Sequence, residues 1–238
     1  MIRVETINGS SADEVAVGTP FDALPAAFPT EAIALNPKDA TLKEISDLAP
    51  IGHGSRVVVH GAPGSGRSTT LRLIAGELKG IDGLELHVVL TGARPEEAAE
   101  WRTDGIEPAG AALLGQSPDA QAQVVERAID AGRKVAARGA NAAVVIDAID
   151  QLAPAAARRA LAAARNIDGG GSLTVIAAAT APLGGETTLI ALDAGAAVSE
   201  RRPVLDPQAS GTLRTAALVG ARKATTIARA RAKTPADA

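Results

Sequence analysis

The sequence predicts an α/β fold, a mainly parallel sheet with helices on both faces. Three observations predict it. Short β-branched runs alternate with segments of helical spacing along the middle of the chain. A glycine-rich loop joins the first of these runs to the first of these helices. The chain has 238 residues, 46% of them hydrophobic, which is enough for one domain with a sizeable core.

Residues 1–38 are rich in Pro, Gly, Ser and Asp with little periodicity, and read as an extended arm or linker. Residues 39–49 carry a weak pattern that fits helix or strand. Arg56–His60 (RVVVH), bounded by Gly54 and Gly61, reads as a buried strand. Ser68–Leu78 places Leu71, Ile74, Ala75 and Leu78 on one helical face. Leu86–Leu90 is a second strand. Pro95–Arg102 begins a helix, with Pro95 suited to its first turn and Glu96 and Glu97 near the positive end of its dipole. Ala111–Leu114 is a short strand candidate, and Pro118–Arg138 a long helix with Val124, Val125, Ala128 and Ile129 on one side. Ala142–Ile146 is a third clear strand, and it ends at Asp147. Pro154–Ala164 reads as a helix, Leu173–Ala178 and Thr187–Leu192 as strands. This gives a core over residues 39–212 and a basic helical tail over 213–238, with no internal repeat.

Composition excludes several classes of function. There is no Cys, so disulfides, thiolate chemistry and Cys-based zinc sites are out. His53, His60 and His87 lack the i, i+4 spacing of a helical metal pair. Two Phe, one Trp and no Tyr leave little for aromatic base stacking. Net charge is −3, unevenly spread. Acidic residues dominate 1–50 and basic ones 201–238, so the tail is either a solvated helix face or a contact for nucleic acid or an acidic partner. No apolar run is long enough to span a bilayer and no leader pattern is present, so the expectation is a cytoplasmic protein without a membrane partner.

Gly61–Ser68 reads GAPGSGRS, close to the phosphate-loop pattern G-x-x-x-x-G-K-S/T. Backbone N–H groups of such a loop curl round a phosphate, and the helix N-terminus adds partial positive charge. The candidate nucleotide-binding residues are Gly61, Ala62, Pro63, Gly64, Ser65, Gly66, Arg67, Ser68 and Thr69. Ser68 is the candidate Mg²⁺ ligand through its hydroxyl. Arg67 replaces the pattern's Lys, a forked planar cation where a compact point charge is usual. The alternative is a glycine-rich turn without a ligand. Asp147, at the end of an apolar strand, is the second candidate metal residue, where such proteins hold the shell of Mg²⁺. Its alternative role is to cap the helix after it. No residue is assigned a catalytic role beyond Arg67 and Asp147 as candidates. The cofactors this implies are ATP and Mg²⁺.

Several segments, in order, resemble the ATPase domain of transcription termination factor Rho, a RecA-type P-loop domain. Ile7–Leu35 looks like the segment joining Rho's RNA-binding and ATPase domains. Asp47–Arg56 (DLAPIGHGSR) is similar to the family's A-P-I-G-K-G-Q-R, and Arg94–Glu97 to its R-P-E-E. Ala164–Ala177 (ARNIDGGGSLTVIA) is similar to A-R-N-x-E-E-G-G-S-L-T-I-I-A, and Ser210–Thr212 to part of N-R-S-G-T-R.

The resemblance implies a ring-forming, RNA-dependent ATPase. The departures fall on functional positions. The family's D-E-R-P-E-E, whose first Glu orients the attacking water, has Gly92 and Ala93 before Arg94 here. The final Arg of N-R-S-G-T-R, a trans-acting finger, is Leu213, with Arg214 next to it as a substitute. The adenine-stacking aromatic falls near Val204. The loops that line the ring's pore and grip RNA are short, at 148–164 and at Leu183–Thr188 (LGGETT), and the family's RNA-binding domain has no room before residue 1. The expected function is therefore a Rho-like domain that binds nucleotide with weak or lost hydrolysis. The alternative is a non-enzymatic relative that assembles with itself or with Rho subunits and regulates termination. An unrelated small P-loop kinase or transport ATPase would need a second substrate lid and a catalytic Asp or Glu after the second strand, and neither is visible.

Overall fold

The computed structural model describes residues 6–7, 10–11, 21–35 and 38–233. Two short strands, β1 (Thr6–Ile7) and β2 (Ser10–Ser11), pair with each other. The segment 21–35 contains a single 3₁₀ turn, Phe21–Ala23, and the short strand β3 (Ala26–Ala27). The weak pattern at 39–49 is settled as a helix, α1 (Ala40–Leu48). Asp39 caps it, accepting the Leu42 N–H at 2.9 Å, and Leu42 and Ile45 are buried.

The central sheet has nine strands, with the path β11-β10-β4-β9-β7-β5-β6. Here β4 is Arg56–His60, β5 Leu84–Ala93, β6 Gly110–Leu113, β7 Asn141–Asp147, β9 Ser172–Ala179, β10 Thr188–Ala191 and β11 Gly211–Thr212. All neighbours from β10 to β6 are parallel. The parallel arrangement requires crossovers, and helices supply most of them: α2 (Arg67–Lys79), α3 (Pro95–Thr103), α4 (Pro118–Ala137) and α5 (Pro154–Ala162).

Alternation along the strands explains the two cores. Val57 and Val59 of β4, Ala143 and Val145 of β7 and Ile176 of β9 face one side, where Leu71, Ile74 and Leu78 of α2 cover them. Val58, Val144, Ile146 and Val175 face the other, against Val125 and Ile129 of α4 and Leu161 of α5. All eight residues of β9 are buried, which accounts for a sequence there with no polar face.

The sheet is not purely parallel. β8 (Arg165–Ile167) runs antiparallel to β9 and to β3, and β11 runs antiparallel to β10. The sequence carries no sign of these strands because two or three residues are too few to show a period of two. Also unforeseen is α6 (Ala194–Glu200), capped by Asp193. The last helix, α7 (Thr215–Lys233), is interrupted at Gly220, φ 79°, and rests on the domain through buried Ile227. Among the described residues no helix is long and apolar enough to cross a membrane.

The segment 21–35 is tied to the domain rather than free of it. Arg165 Nη1 donates to the carbonyls of Phe21, Asp22 and Leu24, and its guanidinium lies over the Phe21 ring. Ile33 N–H donates to Ile51 O at 2.8 Å, and Ile33 and Leu35 join the first core.

Candidate nucleotide site

The candidate loop leaves β4 at His60 and enters α2 at Arg67. A tight turn closes it, with Ser65 N–H donating to Ala62 O at 3.1 Å. Gly66 has φ 89° and occupies the N-cap of α2 with no side chain to accept the helix's first N–H groups. A Cβ at Gly66 would also stand 2.8 Å from Pro203 Cγ. The helix thus starts on a glycine that both its backbone angle and its neighbour require, and it leaves its first-turn donors to a ligand. Ser65 Oγ is buried without a hydrogen-bond partner, an orphaned group inside the same loop.

The sheet order brings the second candidate to this loop. β9 lies between β4 and β7, so Asp147, the last residue of β7, sits one strand away from the loop. Ser68, in the first turn of α2, spans that gap: its hydroxyl donates to Asp147 Oδ1 at 3.0 Å. Asp147 does not act as a helix cap; the 3₁₀ turn Ile149–Gln151 starts from Ala148 in a left-handed conformation. Burial pushes the Asp147 carboxyl above its usual range, and the nearby charge of Glu97 adds to this. Hydrogen bonds from Ser68 and Trp101 and the charge of Arg67 oppose it. Thr91 Oγ1 donates to the carbonyls of Asp147 and Ala148, fixing the end of β7 against β5.

A cleft of about 360 Å³ opens on these groups, lined by Gly64, Gly66, Arg67, Ser68, Thr69 and Asp147 on one wall and by α3 on the other. That is within the range of small-ligand sites. Trp101 of α3, the chain's only Trp, reaches into the lining while 1% exposed. Glu97 is tied at the head of α3: it accepts the Arg94 N–H and the Arg94 guanidinium, each at 2.8 Å. These bonds hold its carboxyl below the usual range although burial acts the other way.

Hard oxygen donors suit Mg²⁺, and Ser68 Oγ and Asp147 are such donors side by side. Among the described residues no group of three or more acidic or histidine side chains gathers to hold a metal alone. The set therefore fits a cation that brings phosphate oxygens and water with it, as Mg²⁺ does.

The structure also places the other positions singled out in the sequence. Ala93, where a water-orienting Glu was sought, is 6% exposed and packed in the first core. Gly92 has φ 62°, and a Cβ there would meet Gln151 Cγ at 2.7 Å. Arg214 stacks on Phe28, 3.7 Å from the ring centre. It comes directly after Leu213, whose N–H donates to Thr187 O just before β10, so it lies at the strand ends opposite the loop. Near Val204 there is no aromatic; Pro203 packs on Gly66 instead. Sequence reasoning passed over Asp150, whose carboxylate lies 3.7 Å from Arg67 Nη1. Its place three residues after Asp147 was the one available signal.

Comparison with known proteins agrees with this architecture. Transcription termination factor Rho of Mycobacterium leprae is 29% identical over 89% of this chain and 41% of its own length. Rho of Streptosporangium roseum is 30% identical over 90% of this chain and 65% of its own. The chain thus spans about two fifths of the first relative and just under two thirds of the second. An ATPase of the type III secretion system of pathogenic bacteria superposes with a TM-score of 0.73 at 17% identity, over 89% of this chain and 70% of that one, which bears on the fold alone. The fold is the α/β RecA-type core, and the chain is a divergent relative of the Rho ATPase domain. The signature of the ATPase family associated with various cellular activities (AAA) matches residues 57–191, more than half of the chain, and the chain belongs to that family.

Proposed function

We propose that this domain binds a nucleoside triphosphate with Mg²⁺ at Gly61–Thr69 and hydrolyses it weakly or not at all. One observation carries the binding half: the Ser68 hydroxyl and the Asp147 carboxylate meet at 3.0 Å beside an uncapped helix N-terminus. Phosphates would take the N–H groups of Gly64 and Gly66–Ser68, the Ser65 N–H being held by Ala62 O. Ser68 and Asp147 would hold the cation, which would supply charge neutralisation between phosphate oxygens. The hydrolysis half rests on what surrounds this pair. Arg67 stands in the usual Lys position, buried Ala93 offers no base, and Glu97 is engaged by Arg94.

The likeness to Rho supports a role in transcription termination, as a member of a homo-oligomer or of a mixed assembly with Rho subunits. RNA is a further partner on this reading, although the short segment 148–164, mostly taken up by α5, and the short loop 183–188 leave less to grip it. An assembly or regulatory role is favoured by exposed apolar side chains at two sheet edges, Leu113 and Leu114 on one and Leu213, 57% exposed, on the other.

The test is a titration of ATP with and without Mg²⁺, followed by the fluorescence of Trp101, together with phosphate release in the presence of RNA. Saturation with Mg²⁺·ATP and release at the blank level are expected. No binding at millimolar ATP sinks the first half, and steady release abolished by Asp147→Ala sinks the second.

A further inference from the structure

Every guanidinium at the cleft is already answered by a carboxylate. Arg72 pairs with Glu100 and, at 3.3 Å, with Asp104. Arg94 pairs with Glu97 and Glu96. Arg67, the cation inside the loop itself, faces Asp150 at 3.7 Å. That distance is too long for a hydrogen bond, and Arg67 Nη1 is buried with no hydrogen-bond partner. Its charge is therefore balanced while its donor is not. Asp150 is held from the other side: its Oδ2 accepts the N–H of Thr180, the first residue after β9, at 2.9 Å. The carboxylate is fixed between the end of the strand beside the loop and the loop's own cation.

We propose that Asp150 is a positioning residue of the phosphate site, an internal anion that holds Arg67 and competes with phosphate for it. The inference rests on the nucleotide reading above and gives it a property of its own. In an ordinary phosphate loop the cation is free for the ligand; here a phosphate must draw Arg67 away from a fixed carboxylate. A forked guanidinium with an unused donor can turn from one anion to another without leaving its place in the helix. Side-chain exposures of 21% for Arg67 and 24% for Asp150 leave the pair partly screened, so its hold is modest.

The experiment is a double-mutant cycle on Mg²⁺·ATP affinity, read by Trp101 fluorescence and repeated by calorimetry. Asp150→Asn keeps an acceptor for the Thr180 N–H and removes the charge. It is expected to tighten binding about two- to fivefold, the range a partly exposed ion pair is worth. In an Arg67→Ala background the same change is expected to do nothing. Asp150→Glu, which keeps the charge, is expected to bind as the unaltered protein does, and Asp150→Ser serves if the Asn variant melts early. An equal gain in both backgrounds, or no gain in either, overturns the proposal while leaving nucleotide binding intact. No binding by any of them removes the nucleotide reading and this inference together.

Discussion

Ser68 and Asp147 lie 79 positions apart in the chain, and a hydrogen bond of 3.0 Å joins them. The contact links the helix after β4 to the end of β7 across the intervening β9. Removing either partner should be felt both by the empty protein and by its ligand. Ser68→Ala is expected to cost about 1–2 kcal/mol in urea unfolding, since it strips a hydrogen bond from a buried carboxylate. In both Ser68→Ala and Asp147→Ala, ATP affinities measured with and without Mg²⁺ should converge.

Gly66 and Gly64 share a left-handed backbone but differ in their surroundings. A methyl at Gly66 meets Pro203, whereas nothing lies within 4 Å of one at Gly64. Gly64→Ala should therefore cost about 1 kcal/mol, from backbone strain alone. Gly66→Ala should cost about 2–3 kcal/mol and also displace Pro203 from its contact with the loop. Unfolding midpoints of the two variants give the comparison directly.

A carboxylate introduced at position 93 should not support hydrolysis. Ala93 is buried among Leu90, Ala98 and Trp101 in the first core. A Glu there would place an unpartnered charge in apolar surroundings, and Ala93→Glu is expected to lose about 3 kcal/mol or more of stability. Phosphate release should stay at the blank, and a folded, active Ala93→Glu variant would refute the placement.

His53 gives a pH dependence away from the cleft. Burial lowers its pKa, with Glu31 acting weakly against it, and its Nδ1 is buried without a partner. The unfolded chain protonates first, near about pH 6.5. The stabilisation is thus fully present above that value and is lost as pH falls through the lower folded pKa. His53→Gln should flatten the decline in melting temperature between about pH 7.5 and about pH 5. His60, also lowered chiefly by burial, should contribute in the same direction.

The parts of the fold that the sequence revealed are those with contiguous signals. β4, the glycine loop and α2 are adjacent in the chain, and β-branched runs mark β4, β5 and β7. What the sequence hid depends on distant partners. Nothing near Arg165 indicates that it will bind carbonyls more than a hundred residues earlier. Nothing near Arg214 indicates that it will settle on Phe28. The Arg67 departure was legible as a change of residue. Its counter-ion was not, because Asp150 reaches the loop only through the order of the strands.

The grip of Arg165 on residues 21–24 also defines a chain of contacts from that segment to the candidate loop. β3 pairs with β8, β8 pairs with the start of β9, and β9 ends beside Thr180, whose N–H holds Asp150. These pairings connect the segment at 21–27 to β9, the strand that ends beside the anion facing the loop's cation. The segment at 21–27 and the candidate loop are thus joined through one strand and the residue that follows it.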